Sequence, residues 1–357
     1  MTPSPIRTLI VDDSVFMRSV LKSALGRSAS LEIIGSAQNG IEALEKIRTL
    51  KPDVVTLDVE MPGLDGLEVL RRVMKECPLP VVMVSTKTQA GAKLTFDALE
   101  LGAVDYVAKP LGEKGASLEG FQEKVIRAVE TAFASNRSGI GRAPGVKILR
   151  PRSTEIHTDG YVVAIGISAG GPATLHKLIP CLPKVFPPIV LTQHMPADFT
   201  GPFAQRLNGS CELEVKEAQD GDELIPGRLL LAPGDRHLKV VRRGSGFRAR
   251  LDGGPKVAGF RPSVDVLFHS VAATHADKAV GVVMTGMGCD GAEGIRILKR
   301  AGAKTLAQDQ ASSIVYGMPK AAAETGCVDR IVSLAEIPDA LVKALAVEVR
   351  APVPSSA

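Results

Sequence analysis

Residues 7–14 read RTLIVDDS, a short apolar strand candidate, Arg7–Val11, that ends in two aspartates. Similar runs recur through the first part of the chain, separated by stretches such as Val15–Leu25 and Ile41–Leu50 with apolar residues at three-and-four spacing. The further runs are Glu32–Gly35, Val54–Leu57, Val81–Val84 and Val104–Val107. Buried strands that alternate with amphipathic helices predict an α/β domain, a doubly wound, flavodoxin-like parallel sheet of five strands with five helices.

A second α/β alternation begins after Asp159. Its strand candidates are Tyr161–Ile167, Ile189–Gln193, Ala279–Thr285 and Lys304–Ala307, and Ile337–Val347 is its last predicted helix. Between these strands, Cys211–Asp252 reads as short strands joined by polar turns; these are Leu229–Ala232, His237–Arg242 and Phe247–Leu251. The pattern predicts a larger, Rossmann-like α/β domain that carries an antiparallel β insertion.

The two alternations are separated by a basic segment. Residues 135–153 read SNRSGIGRAPGVKILRPRS, with five Arg or Lys, no acidic residue, and Gly and Pro that break any helical period. Such composition is typical of an extended, solvated spacer. With 357 residues, the chain is long enough for two domains. We therefore expect a first domain over 1–133, a flexible basic linker over 134–158, a second domain over 159–348 and a tail over 349–357.

Composition excludes several classes of protein. Hydrophobic residues make up 45% and charged residues 23% of the chain, which argues against collagen, wholesale disorder and a coiled-coil rod. A net charge of +4 without a long basic block gives little support for nucleic-acid binding. The five cysteines show no C-x-x-C pair, and no apolar run is long enough to span a bilayer. These features predict reduced thiols and a cytoplasmic chain without membrane insertion.

Polar residues follow the predicted strands of the first domain. In such a sheet ligands gather at the carboxyl ends of the strands. The residues found there are Asp12, Asp13, Asp58, Ser85 and Lys109. Three converging carboxylates require a cation, and an all-oxygen site suits Mg²⁺, while a lysine and a hydroxyl can contact a phosphoryl group. Any one aspartate could instead end its strand as a cap or turn residue.

The motifs around these residues resemble a known family. VDDS at 11–14, LDVEMPGLDG at 57–66, MVST at 83–86 and DYVAKP at 105–110 are similar to those of two-component response-regulator receiver domains. The resemblance implies a histidine kinase as phosphodonor and Asp58 as the phosphoryl acceptor. It also implies that Asp12 and Asp13 bind Mg²⁺ together with Asp58, that Ser85 and Lys109 contact the phosphoryl group, and that Tyr106 is the switch aromatic.

In the second domain, three strand ends carry the residues of a nucleophilic site. GISAGG at 166–171 lies between an apolar strand and a predicted helix, the context of a nucleophile elbow that exposes Ser168. His194 follows a second strand, and Asp290 lies in the turn after a third. A serine nucleophile, an imidazole base and an orienting carboxylate could meet there. A glycine-rich turn can equally hold a phosphate or permit close packing.

Three alternatives compete with this triad. His237, in the predicted β insertion, is a rival base, and Cys289 is a rival nucleophile. Residues 286–291 also spell G-x-G-x-x-G after a strand, with Asp309 placed where a ribose-binding acid belongs in a dinucleotide site. Asp290 would, however, put a negative charge inside the turn that should face pyrophosphate.

A second resemblance covers about residues 159–348. Its motifs are AIGISAGG at 164–171, QHMP at 193–196, APGDRHL at 232–238, FRPSVDVLF at 260–268, MTGMGCDGAEG at 284–294 and AQDQASSIVYGMPKAA at 307–322. They are similar to the catalytic domain of the chemotaxis protein-glutamate methylesterase family, CheB. The resemblance implies that Ser168 is the nucleophile, His194 the general base and acid, and Asp290 the orienting carboxylate. It places the backbone N–H of Met287 in the oxyanion hole, and Ala169 stands where some members carry Thr.

The two resemblances together imply a phosphorylation-activated hydrolase. Its expected substrates are methylated chemoreceptors, from whose cytoplasmic helices it would remove glutamate methyl esters as methanol and deamidate selected glutamines. Mg²⁺ is expected in the receiver domain, and no cofactor is expected for ester hydrolysis. We further expect the unphosphorylated receiver to cover the active site. The alternative is a response regulator whose second domain binds a nucleotide or a partner without catalysis.

Overall fold

The computed structural model describes residues 4–86, 88–110, 115–137, 148, 151, 156–244 and 246–346. The first domain is built on a parallel sheet with strand order β2-β1-β3-β4-β5. Its strands are β1 (Ile6–Val11), β2 (Leu31–Ala37), β3 (Val54–Asp58), β4 (Val81–Ser85) and β5 (Asp105–Ala108). Its helices are α1 (Val15–Leu25), α2 (Gly40–Leu50), α3 (Gly66–Glu76), α4 (Gln89–Leu101) and α5 (Gly115–Arg137). The predicted five-stranded doubly wound sheet is confirmed.

Local sequence accounts for where these helices begin. The Ser14, Asn39 and Asp65 side chains accept hydrogen bonds from backbone N–H groups in the first turns of α1, α2 and α3. Such caps satisfy donors that have no partner inside the helix. Helix α5 continues to Arg137, beyond the expected domain end at residue 133. Most of the expected linker, and all of the expected tail, lie outside the described residues.

The second domain contains a seven-stranded parallel sheet and a separate hairpin. The sheet order is β14-β13-β12-β6-β7-β9-β8, and β10 pairs with β11 in antiparallel fashion. The strands are β6 (Val162–Ile167), β7 (Ile189–Gln193), β8 (Glu214–Glu217), β9 (Arg228–Leu231), β10 (His237–Arg243), β11 (Gly246–Asp252), β12 (Ala279–Val283), β13 (Lys304–Gln308) and β14 (Arg330–Val332). The helices are α6 (Gly171–Leu178), α7 (Ala197–Asn208), α8 (Val264–His275), α9 (Ala292–Arg300), α10 (Met318–Glu324) and α11 (Ile337–Leu345).

One part of the predicted insertion is wrong. The segment Leu229–Ala232 does not belong to an antiparallel unit, because β9 pairs in parallel with β7 and with β8. Leu229, Leu230 and Leu231 are all buried. An uninterrupted apolar run fits a parallel strand that is covered on both faces, whereas a half-exposed hairpin strand would alternate apolar and polar residues. Only β10 and β11 form the antiparallel unit that was expected.

The two domains pack against each other through aromatic and charged side chains. Phe96 on α4 contacts Phe203 on α7, with ring centroids 5.1 Å apart. Tyr106 on β5 packs against Phe199, also on α7, at 4.7 Å. At the edge of this contact, the Arg206 guanidinium lies 2.7 Å from carboxylate oxygens of both Asp97 and Glu100. The helix that follows the His194 loop is therefore held by the receiver-like domain.

Candidate functional site

The acidic residues predicted in the first domain form a cluster at the carboxyl end of the sheet. Asp12, Asp13 and Asp58 each offer a carboxylate oxygen, and these oxygens lie within 4.8 Å of one another. Asp12 and Asp58 are buried, whereas Asp13 is exposed. The Lys109 Nζ lies 2.7 Å from Asp58 Oδ2 and 3.0 Å from Asp12 Oδ2. The structure thus brings together four of the predicted residues.

Burial dominates the electrostatics of this cluster. Burial raises the pKa of Asp58, and the charge of Asp12 raises it further. Lys109 acts in the opposite direction and lowers it, so that the pKa of Asp58 lies at about 6. Burial also raises the pKa of Asp12. Although Asp12 Oδ2 forms an ion pair with Lys109, it makes no hydrogen bond to the described residues. Three carboxylates whose oxygens lie this close together form an oxygen-only donor set, which fits Mg²⁺.

Ser85 and Tyr106 do not point at the acidic cluster in this arrangement. The Ser85 hydroxyl donates to the Gly91 carbonyl of α4, at 3.2 Å. The Tyr106 ring lies against Phe199 of the second domain, and its buried hydroxyl has no hydrogen-bond partner in the described part of the chain. Burial raises the pKa of Tyr106 well above its usual value. Both side chains would have to move to follow a change at Asp58.

Ser168 lies at the end of β6, between the two strands that carry its predicted partners. Its N–H donates to the Thr285 carbonyl at 2.9 Å, and its carbonyl accepts from Gly171 N–H at 2.8 Å. The loop after β12 approaches so closely that a Cβ on Gly286 would lie 2.7 Å from Ser168 Cβ. Gly170 has φ of +73°, a left-handed conformation that favours glycine. The turn therefore has the tight geometry that an exposed nucleophile needs.

His194 and Asp290 form a buried pair. The His194 Nε2 lies 2.8 Å from Asp290 Oδ2. The Asp290 carboxylate also accepts hydrogen bonds from the Ser263 hydroxyl, Val264 N–H and Asp265 N–H at the start of α8. Burial alone would raise the pKa of Asp290, but the hydrogen bonds from His194 and from those backbone donors hold it below its usual value. A lowered pKa favours the ionised form of Asp290, which can accept a hydrogen bond from His194 Nε2.

The hydrogen bond between Ser168 and His194 is not formed in this arrangement. His194 Nδ1 is buried and has no hydrogen-bond partner among the residues that the structure describes. An ionised Asp290 carboxylate can only accept, so Nε2 is the donor in this bond, and in a neutral imidazole Nδ1 then carries the lone pair. Hydrogen bonds of a catalytic base are often made only in the complex with substrate. Nδ1 of the neutral imidazole is thus free to accept a hydrogen bond.

Two backbone N–H groups next to the Ser168 turn lack an acceptor among the described residues. The Met287 N–H, directly after Gly286, has no acceptor within the described ranges, and neither does the N–H of Ala169. Helix α5 of the first domain reaches this position, because the Thr131 hydroxyl contacts the Met287 sulfur. The predicted Met287 donor is therefore available, but the first domain lies beside it.

The rivals from the sequence have other roles. His237 is buried, accepts from Ser263 N–H on Nδ1 and contacts the Pro255 carbonyl through Nε2, so both ring nitrogens are used. The start of α9, which a dinucleotide would need, holds the Asp265 carboxylate instead. This carboxylate accepts from Gly291 N–H at 2.9 Å and Gly294 N–H at 2.7 Å. A second anion there would face a negative charge.

Sequence reasoning missed several residues that support the site. Gln193 Nε2 donates to the carbonyls of both Ser168 and His194, at 3.0 and 3.1 Å. Phe260 stacks on the His194 ring, and the Arg127 guanidinium of α5 lies over the same Phe260 ring. Gln193 precedes His194 within the QHMP motif, which is a signal that could have been used. The contacts of Arg127 and Phe260 join distant segments and have no local signature.

We expect Gln193→Glu to destabilise the second domain by about 3 kcal/mol, because a carboxylate oxygen would face two carbonyl oxygens. Gln193→Met, which removes both hydrogen bonds without adding charge, should cost about 1 to 2 kcal/mol. Urea unfolding of the full chain measures both free energies. Equal stabilities of the two variants would show that the amide does not act as a donor at this position.

Comparisons with known proteins match both parts of the chain to known families. Residues 163–341 match the family model of the CheB methylesterase, and residues 8–116 match the response regulator receiver domain. A protein-glutamate methylesterase/protein-glutamine glutaminase of Sulfurimonas denitrificans is 48% identical over 338 residues, which cover 93% of this chain and 96% of that protein. A protein-glutamate methylesterase/protein-glutamine glutaminase of Caulobacter vibrioides is 50% identical over 333 residues, with coverages of 93% and 96%.

A solved structure shares the second domain. The crystal structure of the Thermotoga maritima CheB methylesterase catalytic domain is 41% identical, with a TM-score of 0.51, and the match covers 52% of this chain and 98% of that one. Within the described residues, no helix is long and apolar enough to cross a membrane. Because the relatives align along nearly their whole length and both family models match in order, the chain belongs to the CheB methylesterase family, with a receiver domain ahead of the methylesterase domain.

Proposed function

We propose that this chain is a phosphorylation-activated hydrolase that removes methyl groups from glutamate methyl esters on chemoreceptors and releases methanol. The observation that carries the proposal is the His194–Asp290 pair beside the nucleophile turn of Ser168. The names of the relatives in Sulfurimonas and Caulobacter support the reaction and its substrate class. They also support a second activity, the deamidation of receptor glutamines to glutamates. A cytoplasmic location follows from a substrate on the cytoplasmic helices of receptors.

The proposed reaction proceeds through an acyl-enzyme. Ser168 Oγ attacks the ester carbonyl carbon while its proton passes to His194 Nδ1. The N–H groups of Met287 and Ala169 hold the oxyanion, and each such donor typically lowers the barrier by about 3 to 4 kcal/mol. The C–O bond to the methoxy group then breaks, and the imidazolium returns the proton to the leaving oxygen, which departs as methanol.

Deacylation reverses the roles. His194 takes a proton from water as its oxygen attacks the acyl carbon, and Ser168 Oγ leaves with that proton, which frees a glutamate side chain. In deamidation the leaving group is ammonia in place of methanol, and the remaining steps are the same. Asp290 stays ionised throughout, since its four hydrogen-bond donors stabilise the negative charge.

Control is proposed to act through Asp58. A histidine kinase would supply the phosphoryl group, which the Asp58 carboxylate accepts while Lys109 contacts a phosphoryl oxygen. Asp12, Asp13 and Asp58 would hold Mg²⁺. When bound, the ion neutralises charge on the phosphoryl oxygens during transfer. Ser85 would turn from the Gly91 carbonyl toward the new phosphoryl group.

The receiver domain is proposed to inhibit the site by covering it. Arg127 and Thr131 lie one turn apart on α5, and they contact Phe260, which stacks on His194, and Met287, the proposed oxyanion donor. Tyr106 contacts Phe199 on α7, the helix that follows the His194 loop. Phosphorylation would shift the equilibrium toward an arrangement in which this interface opens.

The function is tested by methanol release from methylated receptor membranes, with and without a small-molecule phosphodonor plus Mg²⁺. Release that increases with the donor supports both the reaction and its control. No release in either condition would favour a non-catalytic output domain, and this result is meaningful once a CheB relative releases methanol from the same membranes. Release without a response to the donor would contradict the proposed control.

We expect Arg206→Glu to raise donor-free methanol release about five- to tenfold, because it places a third carboxylate beside Asp97 and Glu100 at the interface. Release with saturating phosphodonor should stay close to that of the unmodified chain. Arg296→Glu, which disrupts an exposed pair with Glu293 on α9, is the matched control and should leave both rates unchanged. A lower donor-free rate for Arg206→Glu would mean that the receiver assembles the site.

A further inference from the structure

The loop between β11 and α8 places an aromatic ring on the catalytic histidine. The rings of Phe260 and His194 are nearly parallel, at 5°, with centroids 3.9 Å apart. We propose that Phe260 is a positioning residue for His194, which fixes the imidazole plane and stabilises its protonated form. This inference rests on the proposed role of His194 as the base of the hydrolase.

The loop that carries Phe260 is anchored at several points by hydrogen bonds. Val257 and Phe260 exchange backbone hydrogen bonds of 3.0 and 2.9 Å across a two-residue turn, in which Ala258 and Gly259 both have positive φ. The Arg261 guanidinium donates to the carbonyls of Gly253 and Gly254. A side chain presented by such a tied loop is preorganised, so its ring can define the position of a neighbour.

The stretch before this turn is also tied to the core. His237 Nε2 contacts the Pro255 carbonyl at 2.9 Å, and His237 Nδ1 accepts from Ser263 N–H. Ser263 in turn donates its hydroxyl to Asp290. His237 thus links the Phe260 loop to Ser263, which holds the Asp290 carboxylate. The Phe260 ring and the Asp290 carboxylate, which both contact His194, are therefore held by the same hydrogen-bonded residues.

His194 needs a second constraint beyond Asp290. Its side chain makes one polar contact, from Nε2 to Asp290, and Nδ1 has no hydrogen-bond partner within the described ranges. A single hydrogen bond leaves the ring free to rotate about the line that joins Nε2 to the carboxylate. A parallel ring in contact removes that rotation and fixes the direction in which Nδ1 points.

The stacking also matches the change in charge during catalysis. When Ser168 transfers its proton to Nδ1, the imidazole becomes a cation against the face of the Phe260 ring. The negative face of an aromatic ring attracts cations, and this contact is stronger where water is excluded. The interaction is weaker before the proton moves, because neutral imidazole carries no net charge. It therefore favours the acylation transition state over the resting enzyme.

The receiver contacts the same ring. The Arg127 Cζ lies over Phe260, 5.5 Å from the ring centroid. Since the imidazole covers one face, we place the guanidinium on the other. A change at Phe260 would therefore alter both the histidine and the interface, and the experiment must separate the two effects. Arg127→Ala removes the interface contact and leaves the stacked pair intact.

The test measures kcat and KM for methanol release from methylated receptor membranes by the full chain with saturating phosphodonor and Mg²⁺. We expect Phe260→Leu to lower kcat at least about tenfold with KM changed less than about threefold, since the ring acts after substrate binds. Phe260→Tyr, which retains the aromatic face, should recover kcat to within about threefold. Arg127→Ala should leave the donor-activated kcat unchanged.

Nuclear magnetic resonance of the imidazole C–H protons gives a second readout. The Phe260 ring current should shift the His194 signal upfield in the unmodified chain and in Phe260→Tyr, and this shift should disappear in Phe260→Leu. Equal kcat values for Phe260→Leu and the unmodified chain would overturn the proposal, as would equal loss in the Leu and Tyr variants. Ser168→Ala and His194→Ala separate a failure of this proposal from a failure of the proposed function. If both variants retain turnover, the assigned catalytic site is wrong; if both lose it, only the role of Phe260 is in question.

Discussion

Ser168→Ala should release no methanol above background, a loss of at least about 10⁴-fold in kcat. Without Oγ there is no atom to form the proposed acyl-enzyme, and the proposed oxyanion donors alone would supply only a small residual rate. The fold should be unaffected, because the Ser168 backbone carries the contacts to Thr285, Gly171 and Gln193. Methanol release from receptor membranes measures the loss, and urea unfolding should show unchanged stability.

Two controls make this result specific. Phosphorylation of Asp58 by a small-molecule phosphodonor should proceed normally in Ser168→Ala, because the acidic cluster lies in the other domain. Cys289→Ala removes the rival nucleophile, an exposed thiol, and should retain full release. Activity that persists in Ser168→Ala but disappears in Cys289→Ala would reassign the nucleophile.

Asp290→Asn should lower kcat by about 10³- to 10⁴-fold. Four donors converge on the Asp290 carboxylate: His194 Nε2, the Ser263 hydroxyl and the N–H groups of Val264 and Asp265. An asparagine retains only one acceptor oxygen, so its NH₂ group must face at least one of these donors. The imidazole would then lose the tautomer that leaves Nδ1 free, or the start of α8 would lose its acceptor.

The same variant should lower the free energy of unfolding by about 2 to 3 kcal/mol, because buried donors lose their partner. Asp265→Asn is the matched control. A single oxygen of Asp265, Oδ1, accepts from both Gly291 and Gly294, and an asparagine oxygen can do the same. We expect this control to retain kcat within about threefold. If both variants lose activity equally, removal of charge near α8 would explain the effect and an orienting role for Asp290 would not.

The sequence predicted the parts of the fold that depend on local pattern. The helix α1 and the strand β7 have the bounds that were expected, since apolar period and capping residues act within a few positions of each other. The prediction that Leu229–Ala232 belongs to an antiparallel insertion was wrong, because the sequence of this short strand shows that it is apolar but not in which direction its partner strands run. Pairing direction depends on the connection between strands and on the packed layers, which a four-residue segment does not contain.

For the candidate site too, some features could be predicted from the sequence and others required the structure. Strand ends and glycine-rich turns in the sequence pointed to Ser168, His194 and Asp290, because the carboxyl ends of parallel strands must meet at one edge. Two details depend on side-chain packing between distant segments. One is the nitrogen of His194 that faces Asp290, and the other is the contact of Ser85 with Gly91 in place of Asp58. His237 was ambiguous in sequence, and only its two buried hydrogen bonds show that it supports the loop.

The sequence by itself therefore determined two α/β domains, their strand ends and the polar residues placed there, because these follow from periodicity, turn chemistry and motifs of a few residues. Only the tertiary structure decided that Arg127 and Thr131 of the receiver lie beside Phe260 and Met287, and that Phe260 stacks on His194. Those contacts join segments far apart in the chain, and their geometry is set by how whole layers pack rather than by any local preference.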